Sequence, residues 1–452
     1  MDYLAPDVRT GGTASPSGPA RRGLAAALAA TLLAACGSGD GGSGAGPAGA
    51  TSDVVQVSGA SRAEPRQGAP VDATVAGLTR FAAKLYRSAT SPERNAVLSP
   101  LSIAYAFAMA RAGAGGDTAA ALDETFGFPP GVAEAFNALT NGMVTATALP
   151  RAGAAPAPSP GEEPQPQPPV LAIANGLFTQ RGYEIAEAFL RTLTEQYGSE
   201  VRTVDFGRPE DALTAVNAWA DEHTAGRIPK ILDGLDPMTR LVLANAVYLK
   251  ASWTEPFTPA GEQPFTVAGS KVDVAMINRT LVAGYATGDG WTAVTIPYFG
   301  GRLAMRVLVP TGGGKTPADL LTPEVLDAAG RAGTKEVDLT MPGWDFGSTL
   351  DLRAVLTGMG LTLPFDEARA DFSRITTQEQ LFIDQAVHKA NITVDEYGTE
   401  AAAVTALSMR ATSARVDPPV ELTVDRPFAF AVIDTTTGAP LFLGHVADPR
   451  EH

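Results

Sequence analysis

Apolar residues recur at helical spacing in ATVAGLTRFAAKLYRSAT (73–90), where Val75, Leu78, Phe81, Ala82 and Leu85 fall three or four apart. This predicts a helix with one buried face. Residues 100–111 predict a second, buried helix, opened by Ser99 as cap and Pro100 in its first turn. Residues 118–126, 186–197 and 212–224 predict three more. LAIANGLFT (171–179) reads as a strand. LVLANAVYL (241–249) is a continuous apolar run of strand length, which suits a strand buried on both faces. Wet–dry alternation at 304–309, 336–341 and 421–424 predicts strands with one solvated face. Two last apolar runs, 428–433 and 441–446, flank Asp434-Thr-Thr-Thr-Gly438, a hairpin signal. Helices come early and strands late, so the class is α+β.

Composition narrows the function. The chain has 452 residues, 45% apolar and 18% charged, as a globular protein does. Its 34 basic and 49 acidic residues leave a net charge of -15, which argues against a nucleic-acid partner. One Cys excludes a disulfide framework and a cysteine-rich metal site. The four His residues lie far apart, so neither metal nor cofactor is expected. The body holds no apolar run of about 20 residues, the length a membrane-spanning helix needs.

The first 70 residues differ from the rest. Arg21-Arg22 precede an apolar run, Gly23 to Ala35, too short to span a bilayer, in the layout of a bacterial export signal. The run ends Leu33-Ala34-Ala35-Cys36, which resembles a lipobox and makes Cys36 a lipidated first residue; the bland alternative is a plain signal peptide with an incidental Cys. The expected organisation is a signal peptide at 1–35, a flexible Gly/Ser/Ala-rich linker at 36–70, and one domain at 71–452. A Pro-rich stretch at about 150–170 reads as an insertion in that domain, because the apolar pattern resumes on both sides. The expected location is exported and lipid-anchored to the cell envelope, periplasmic or at the cell surface. Gly37-Ser38 carries no obvious inner-membrane retention signal, which favours an outer membrane.

Catalytic motifs fail. Gly312-Gly313-Gly314-Lys315-Thr316 follows a strand, but a phosphate-binding loop needs a Gly where Val309 stands. No G-x-S-x-G elbow or H-E-x-x-H is present. A lone His388 within FIDQAVHKANITV is more often a hydrogen-bonded structural residue than a base. Asp395-Glu396 form an acidic pair, with nothing in sequence to bring them into a cleft.

One segment is chemically odd. VDEYGTEAAAVTAL (394–407) has small side chains almost throughout from Glu400 to Ala406, then runs into a polar stretch ending in Pro418-Pro419. The bland reading is a short helix capped by Thr399. The other is a long exposed loop whose first half is compatible with helix or strand. Long loops inside compact domains are usually functional.

Here the chain resembles a known family. NAVLSPLSI (95–103), Asp117-Thr118 with Phe126-Gly127-Phe128, and ANAVYLKASWTEPF (244–257) resemble ordered landmarks of the serpins, serine-protease inhibitors of the loop-insertion type; Ala251 stands where Gly is common. So do Leu350 to Ser373, Val387-His388-Lys389-Ala390, Glu396 to Ala403, Asp425 to Phe430 and Pro440 to Pro449. The match covers about 71–452, and the leader and Pro-rich insertion are additions.

The resemblance implies three β-sheets, about nine helices and an exposed reactive-centre loop. It implies no enzyme but an inhibitor: a serine protease cleaves the loop as an acyl-enzyme, and the loop's first half inserts as a new strand in the central sheet. The hinge is then Glu396, Gly398, Thr399, Glu400, Ala401, Ala402 and Ala403. Small Thr399, Ala401, Ala403 and Thr405 share one face, and Glu400 must face solvent. Tyr397 is bulkier than usual there. Counting along the loop places the scissile bond at Thr412–Ser413, with Met409, Arg410 and Arg415 as alternatives. A small residue before the cut implies an elastase-like or subtilisin-like target; an Arg implies a trypsin-like one. Ser99, Ser102, Asn245 and His388 correspond to the polar cluster where strands part, and Trp253 to the top of the sheet. The expected partners are a serine protease and, through Cys36, a membrane; the protein itself is expected to be a monomer. A non-inhibitory relative acting as a cell-surface binding or structural module is the alternative.

Overall fold

The periodic stretch at 73–90 forms α1 (Val71–Ala89), which buries Leu78, Phe81, Ala82 and Leu85 as its spacing requires. The computed structural model describes residues 51–141, 166–312, 314–399 and 418–451. These belong to a unit spanning Gly49–His452. Outside them lie the leader with Cys36, most of the Pro-rich insertion, and the loop positions Glu400, Ala401, Ala402, Ala403, Met409, Arg410, Thr412, Ser413 and Arg415.

In chain order the first half comprises β1 (Asp53–Val55), α1, β2 (Ala96–Leu98), α2 (Pro100–Gly113), α3 (Gly116–Phe126) and α4 (Val132–Thr140). It continues with β3 (Val170–Gln180), α5 (Glu187–Thr192), β4 (Val201–Val204), α6 (Pro209–His223) and β5 (Leu241–Ser252). The helix expected at 186–197 finishes in a π-helical turn, Leu193–Tyr197. The second half holds β6 (Thr258–Val267), β7 (Ser270–Gly288), β8 (Trp291–Pro297), β9 (Leu303–Pro310), α7 (Pro323–Gly330), β10 (Thr334–Pro342), β11 (Trp344–Asp351) and α8 (Leu352–Gly358). It closes with β12 (Gln385–Val394), β13 (Gly398–Thr399), β14 (Val420–Thr423), β15 (Phe428–Asp434) and β16 (Pro440–Val446). The class is α+β, with eight α-helices among the described residues.

The central sheet runs β1-β4-β3-β5-β13-β12-β11. Its strand β5 is buried on both faces, as its unbroken apolar run predicts. On one face α6 packs Val216 and Trp219 against Phe178, Val242 and Ala244. On the other lies α2, apolar around its whole circumference and buried almost throughout.

The remaining strands form one network, β14-β10-β7-β8-β9-β15-β16-β2, with β6 also on β7. The three sheets expected become two hydrogen-bonded networks because the 19-residue β7 bridges two groups of strands. Its first part pairs β6 and its last part pairs β8, with β10 alongside the middle. Strand β9, expected to have one wet face, is buried on both. Helix α7 covers the side that alternation assigned to solvent, and Arg306 is the polar residue that suggested it.

The segment 51–70, expected to be linker, belongs in its described part to the fold. Residues Asp53–Val55 add antiparallel to β4 at the sheet edge, and Asp53 pairs with Arg181 at 2.8 Å. Arg62 Nε donates to Asn137 Oδ1 (2.8 Å), its Nη2 to Thr140 Oγ1, and Asn137 Nδ2 returns a bond to Ala63 O (2.9 Å). Composition hid this, because three strand residues and one arginine carry the docking. Hydrogen bonds from a charged group contribute about 1.5–3 kcal/mol. Arg62→Ala is therefore expected to lower the thermal midpoint by several degrees; an unchanged midpoint in differential scanning fluorimetry would refute the contribution.

Candidate functional site: the loop hinge and the seam of the central sheet

The site lies where β5 and β12 meet. The two strands pair directly and in parallel only from Val242–Val247 on one side and Gln385–Ala390 on the other. Farther along, β13 stands between them. Gly398 and Thr399 pair with Ser252 and Ala251 of β5, and Thr399 pairs with Val394 of β12. Both residues are buried. Thr399 is thus a strand residue and not a helix cap, and of the described hinge positions Gly398 and Thr399 are sheet while Glu396 lies in the turn before them.

Gly398 is required at this point. Its φ is 149°, and a Cβ would collide with the Ala251 carbonyl oxygen. Thr399 turns its hydroxyl to the Tyr298 hydroxyl at 2.6 Å, within the core beneath the sheet. Tyr298 stacks on Trp253, with centroids 4.5 Å apart and planes 8° from parallel. Trp253 continues β5 and grips the turn that enters β13. Its backbone N–H donates to Tyr397 O (2.8 Å) and its Nε1–H to Asp395 O (3.0 Å). Phe257 N–H donates to Glu396 O (2.7 Å). Trp253 thus bonds the residues on either side of Glu396, whose own carbonyl is taken by Phe257, at one end of the sheet.

Sequence reasoning left Asp395 without a role. Its Oδ1 accepts the backbone N–H groups of Tyr397 (2.8 Å) and Gly398 (3.0 Å), folding the turn back on itself. The signal was an Asp two and three residues before a turn with Gly. Burial, reinforced by neighbouring Glu396, pushes its carboxyl from 3.8 up to about 6, against the pull of the two N–H groups. The native state thus binds a proton at pH values where the unfolded chain does not. This group's contribution is fully present below about pH 4 and is lost as pH rises through about 6. Asp395→Asn keeps an acceptor oxygen and removes the charge. Its melting midpoint, minus that of the wild type, is expected to grow as pH rises from 4 to 7; a constant difference would remove Asp395 from this role.

Beneath the seam lies a polar row crossing three strands. Asn175 of β3 stands opposite Asn245 of β5, and Asn245 opposite His388 of β12. Below them Ser99 caps α2, its hydroxyl accepting the Ser102 N–H at 3.2 Å. Asn245 Nδ2 donates to Ser102 O (3.0 Å), to the Ser102 hydroxyl and to Asn175 Oδ1. His388 Nε2 accepts the Ser99 N–H (3.1 Å), which places the proton on Nδ1, facing Asn245 Oδ1. Burial pushes the His388 imidazole down to about 3, so it is neutral. The four expected cluster residues are all brought together. Asn175 was missed, although an Asn inside the apolar run LAIANGLFT gave the signal that singled out Asn245.

This arrangement chemically offers no nucleophile–base pair. It offers a sheet held shut at one end by buried hydrogen bonds and parted at the other by Gly398 and Thr399. The chain belongs to the serpins: the family described as serpin (serine protease inhibitor) matches residues 76–449. An uncharacterized serpin-like protein of Thermococcus kodakarensis is 33% identical over 83% of this chain and 86% of its own. The leukocyte elastase inhibitor of Bos taurus is 32% identical over 82% of this chain and 98% of its own. The native-state structure of the thermophilic serpin tengpin has the same fold, with a TM-score of 0.73, 24% identity, and coverage of 86% of this chain and 97% of that one. The family is one of protease inhibitors and not of enzymes, and its partners are serine proteases.

Proposed function

We propose that the chain is an inhibitory serpin, which traps a serine protease as a covalent acyl-enzyme after cleavage of the reactive loop. The observation that carries this reading is the position of Gly398 and Thr399, hydrogen-bonded between β5 and β12 at the end where the strands have parted. Insertion needs only to extend β13 down the seam. Continuing the alternation from Thr399 puts Ala401, Ala403 and Thr405 on its core-facing side, where side chains must be small. About a dozen new ladder bonds, at roughly 0.5–1.5 kcal/mol each, supply on the order of 10 kcal/mol. That is the scale of a whole domain's stability.

The scissile bond in this reading is Thr412–Ser413, and a small residue before the cut fits an elastase-like or subtilisin-like protease. Similarity to a leukocyte elastase inhibitor supports the same choice. The protein acts as a monomer, is exported, and is lipid-anchored at Cys36 to the cell envelope. The sequence supporting the anchor is the lipobox-like Leu33-Ala34-Ala35-Cys36.

The test mixes the chain from residue 49 onward with elastase-like, subtilisin-like and trypsin-like proteases. Denaturing gels and the mass of the released peptide are the readouts. A denaturant-resistant complex with a cut after Thr412 is expected. A cut after Met409, Arg410 or Arg415 would move the bait bond and keep the mechanism. Cleavage without a complex from every protease would overturn the inhibitory reading. The anchor is tested separately: Cys36→Ser is expected to shift the protein from the membrane fraction to the soluble one.

A further inference from the structure

The described chain enters the fold at one end of the central sheet. Strand β1 runs antiparallel to β4, with Asp53 opposite Thr203. Thr203 stands beside Thr179 of β3, and Thr179 opposite Leu241 of β5, so Asp53 and Leu241 share one row across the sheet. The hinge lies at the other end, where Gly398 and Thr399 pair with Ser252 and Ala251. Leu241 and Ala251 are ten residues apart on one strand, a distance of about 33 Å.

Arg181 fixes the point of entry. It follows β3 directly; its Nη2 donates to Thr51 O (3.0 Å) and its Nε to Asp53 Oδ2 (2.8 Å). Arg202 Nη1 donates to the Ser52 hydroxyl at 3.0 Å. Strand β1 runs toward the hinge end, so Ser52 and Thr51 before it lead away from that end.

Cys36 stands fifteen residues before Thr51. At 3.3–3.6 Å per residue its reach is at most about 50 Å. Gly/Ser-rich chains of that length average about 20 Å end to end. That average is shorter than the ~33 Å between the entry row and the hinge row. A lipid on Cys36 therefore keeps the entry end nearer a lipid surface than the hinge end. Charge does not impose this orientation. Arg181, Arg208 and Arg240 share the entry end with Asp205, Asp233 and Asp236, so neither sign prevails.

We propose that the protein stands on a lipid surface with the turns after β3 and β4 toward the lipid and the hinge end of the central sheet turned away from it. Arg181 is the clamp that holds the entering chain at the lipid-facing end. A loop that continues from Thr399 is then offered to proteases in the aqueous phase and kept from those embedded in the same membrane. This inference rests on the lipid anchor proposed at Cys36 and not on protease trapping.

The experiment adds the full lipidated chain to preformed vesicles of phosphatidylethanolamine and phosphatidylglycerol that carry a rhodamine-labelled lipid. Cys36 is the single cysteine, so its acylation leaves an introduced cysteine as the sole free thiol. Met238→Cys places a donor dye at the entry end, in the exposed turn before β5. Phe299→Cys places it at the hinge end, where the Phe299 N–H bonds Ser252 O. Energy transfer to the vesicle is expected to be at least twofold stronger from position 238 than from position 299. Arg181→Ala lengthens the tether and is expected to narrow that contrast. Equal or reversed transfer from protein that floats with the vesicles, or a contrast that Arg181→Ala leaves unchanged, would overturn the proposal. A chain that does not float and whose Cys36 thiol still reacts would remove the anchor, and the orientation with it, which is a separate result.

Discussion

Under the proposed trapping mechanism, replacing Thr399 with arginine is expected to turn the protein from a trap into a substrate. Thr399 is 1% exposed, bonds the Tyr298 hydroxyl and sits between Ala251 and Val394. An arginine there would have to bury a guanidinium against the Trp253–Tyr298 stack or withdraw the hinge from the sheet. Burying an unpaired charge carries a penalty of several kcal/mol. Every ~1.4 kcal/mol on a barrier slows a step about tenfold, so even ~3 kcal/mol delays insertion about a hundredfold. Hydrolysis of the acyl-enzyme then finishes first. The stoichiometry of inhibition should rise at least tenfold, while the loop is still cut at the same bond at an undiminished rate. Complex formed in undiminished yield would show that this position does not govern insertion. If the wild type also forms no complex, the inhibitory reading itself fails, and the two outcomes are distinct.

The second large effect belongs to the seam. His388→Ala leaves the Ser99 N–H and the Asn245 carbonyl oxygen buried without partners and opens a cavity. Each orphaned group costs about 1–3 kcal/mol, and deleting the ring adds more. A loss of ~3–5 kcal/mol lowers the midpoint by roughly 3–6 °C in a protein of this size, because the unfolding entropy grows with chain length. The same loss is expected to speed spontaneous loop insertion, visible as a more mobile, inactive species on native gels. Acid acts through the same residue with a definite sign. The native imidazole is held down to about 3, so the unfolded chain binds a proton that the native one refuses. Its contribution is present above about pH 6.5 and is lost as pH falls from there toward 3. His388→Gln retains a donor and an acceptor without a titrating ring, and should flatten that acid slope. An unchanged slope would assign acid lability elsewhere. Asp395 slopes the other way, so the single variants separate the two.

Much of this was legible in the residues. The 3.6-residue spacing of 73–90 and the unbroken apolar run at 241–249 specify a helix face and a doubly buried strand, because burial imposes those periods wherever they occur. Four cluster residues, the hinge positions Gly398 and Thr399, and Trp253 were readable through family motifs, and Asn245 and His388 also as polar residues inside apolar strands. Asn175 satisfied the same test and went unnoticed. The docking of the Asp53–Val55 edge strand carried almost no signal, since an edge strand of three residues has no period to read. Strand β9 misled, because Arg306 gave it a polar position whose solvent side is in fact under α7.

The sequence by itself determined the class, the family, the order of elements and the identity of the residues at the seam, because each is written in local periodicity or in motifs a few residues long. Only the tertiary structure decided which strands touch. It set Asn175, Asn245 and His388 in one register across strands that are up to about two hundred residues apart in the chain. It placed Gly398 and Thr399 already between β5 and β12 and gave Asp395 its turn. Those facts depend on long-range pairing and on desolvation, and neither quantity exists until distant segments pack.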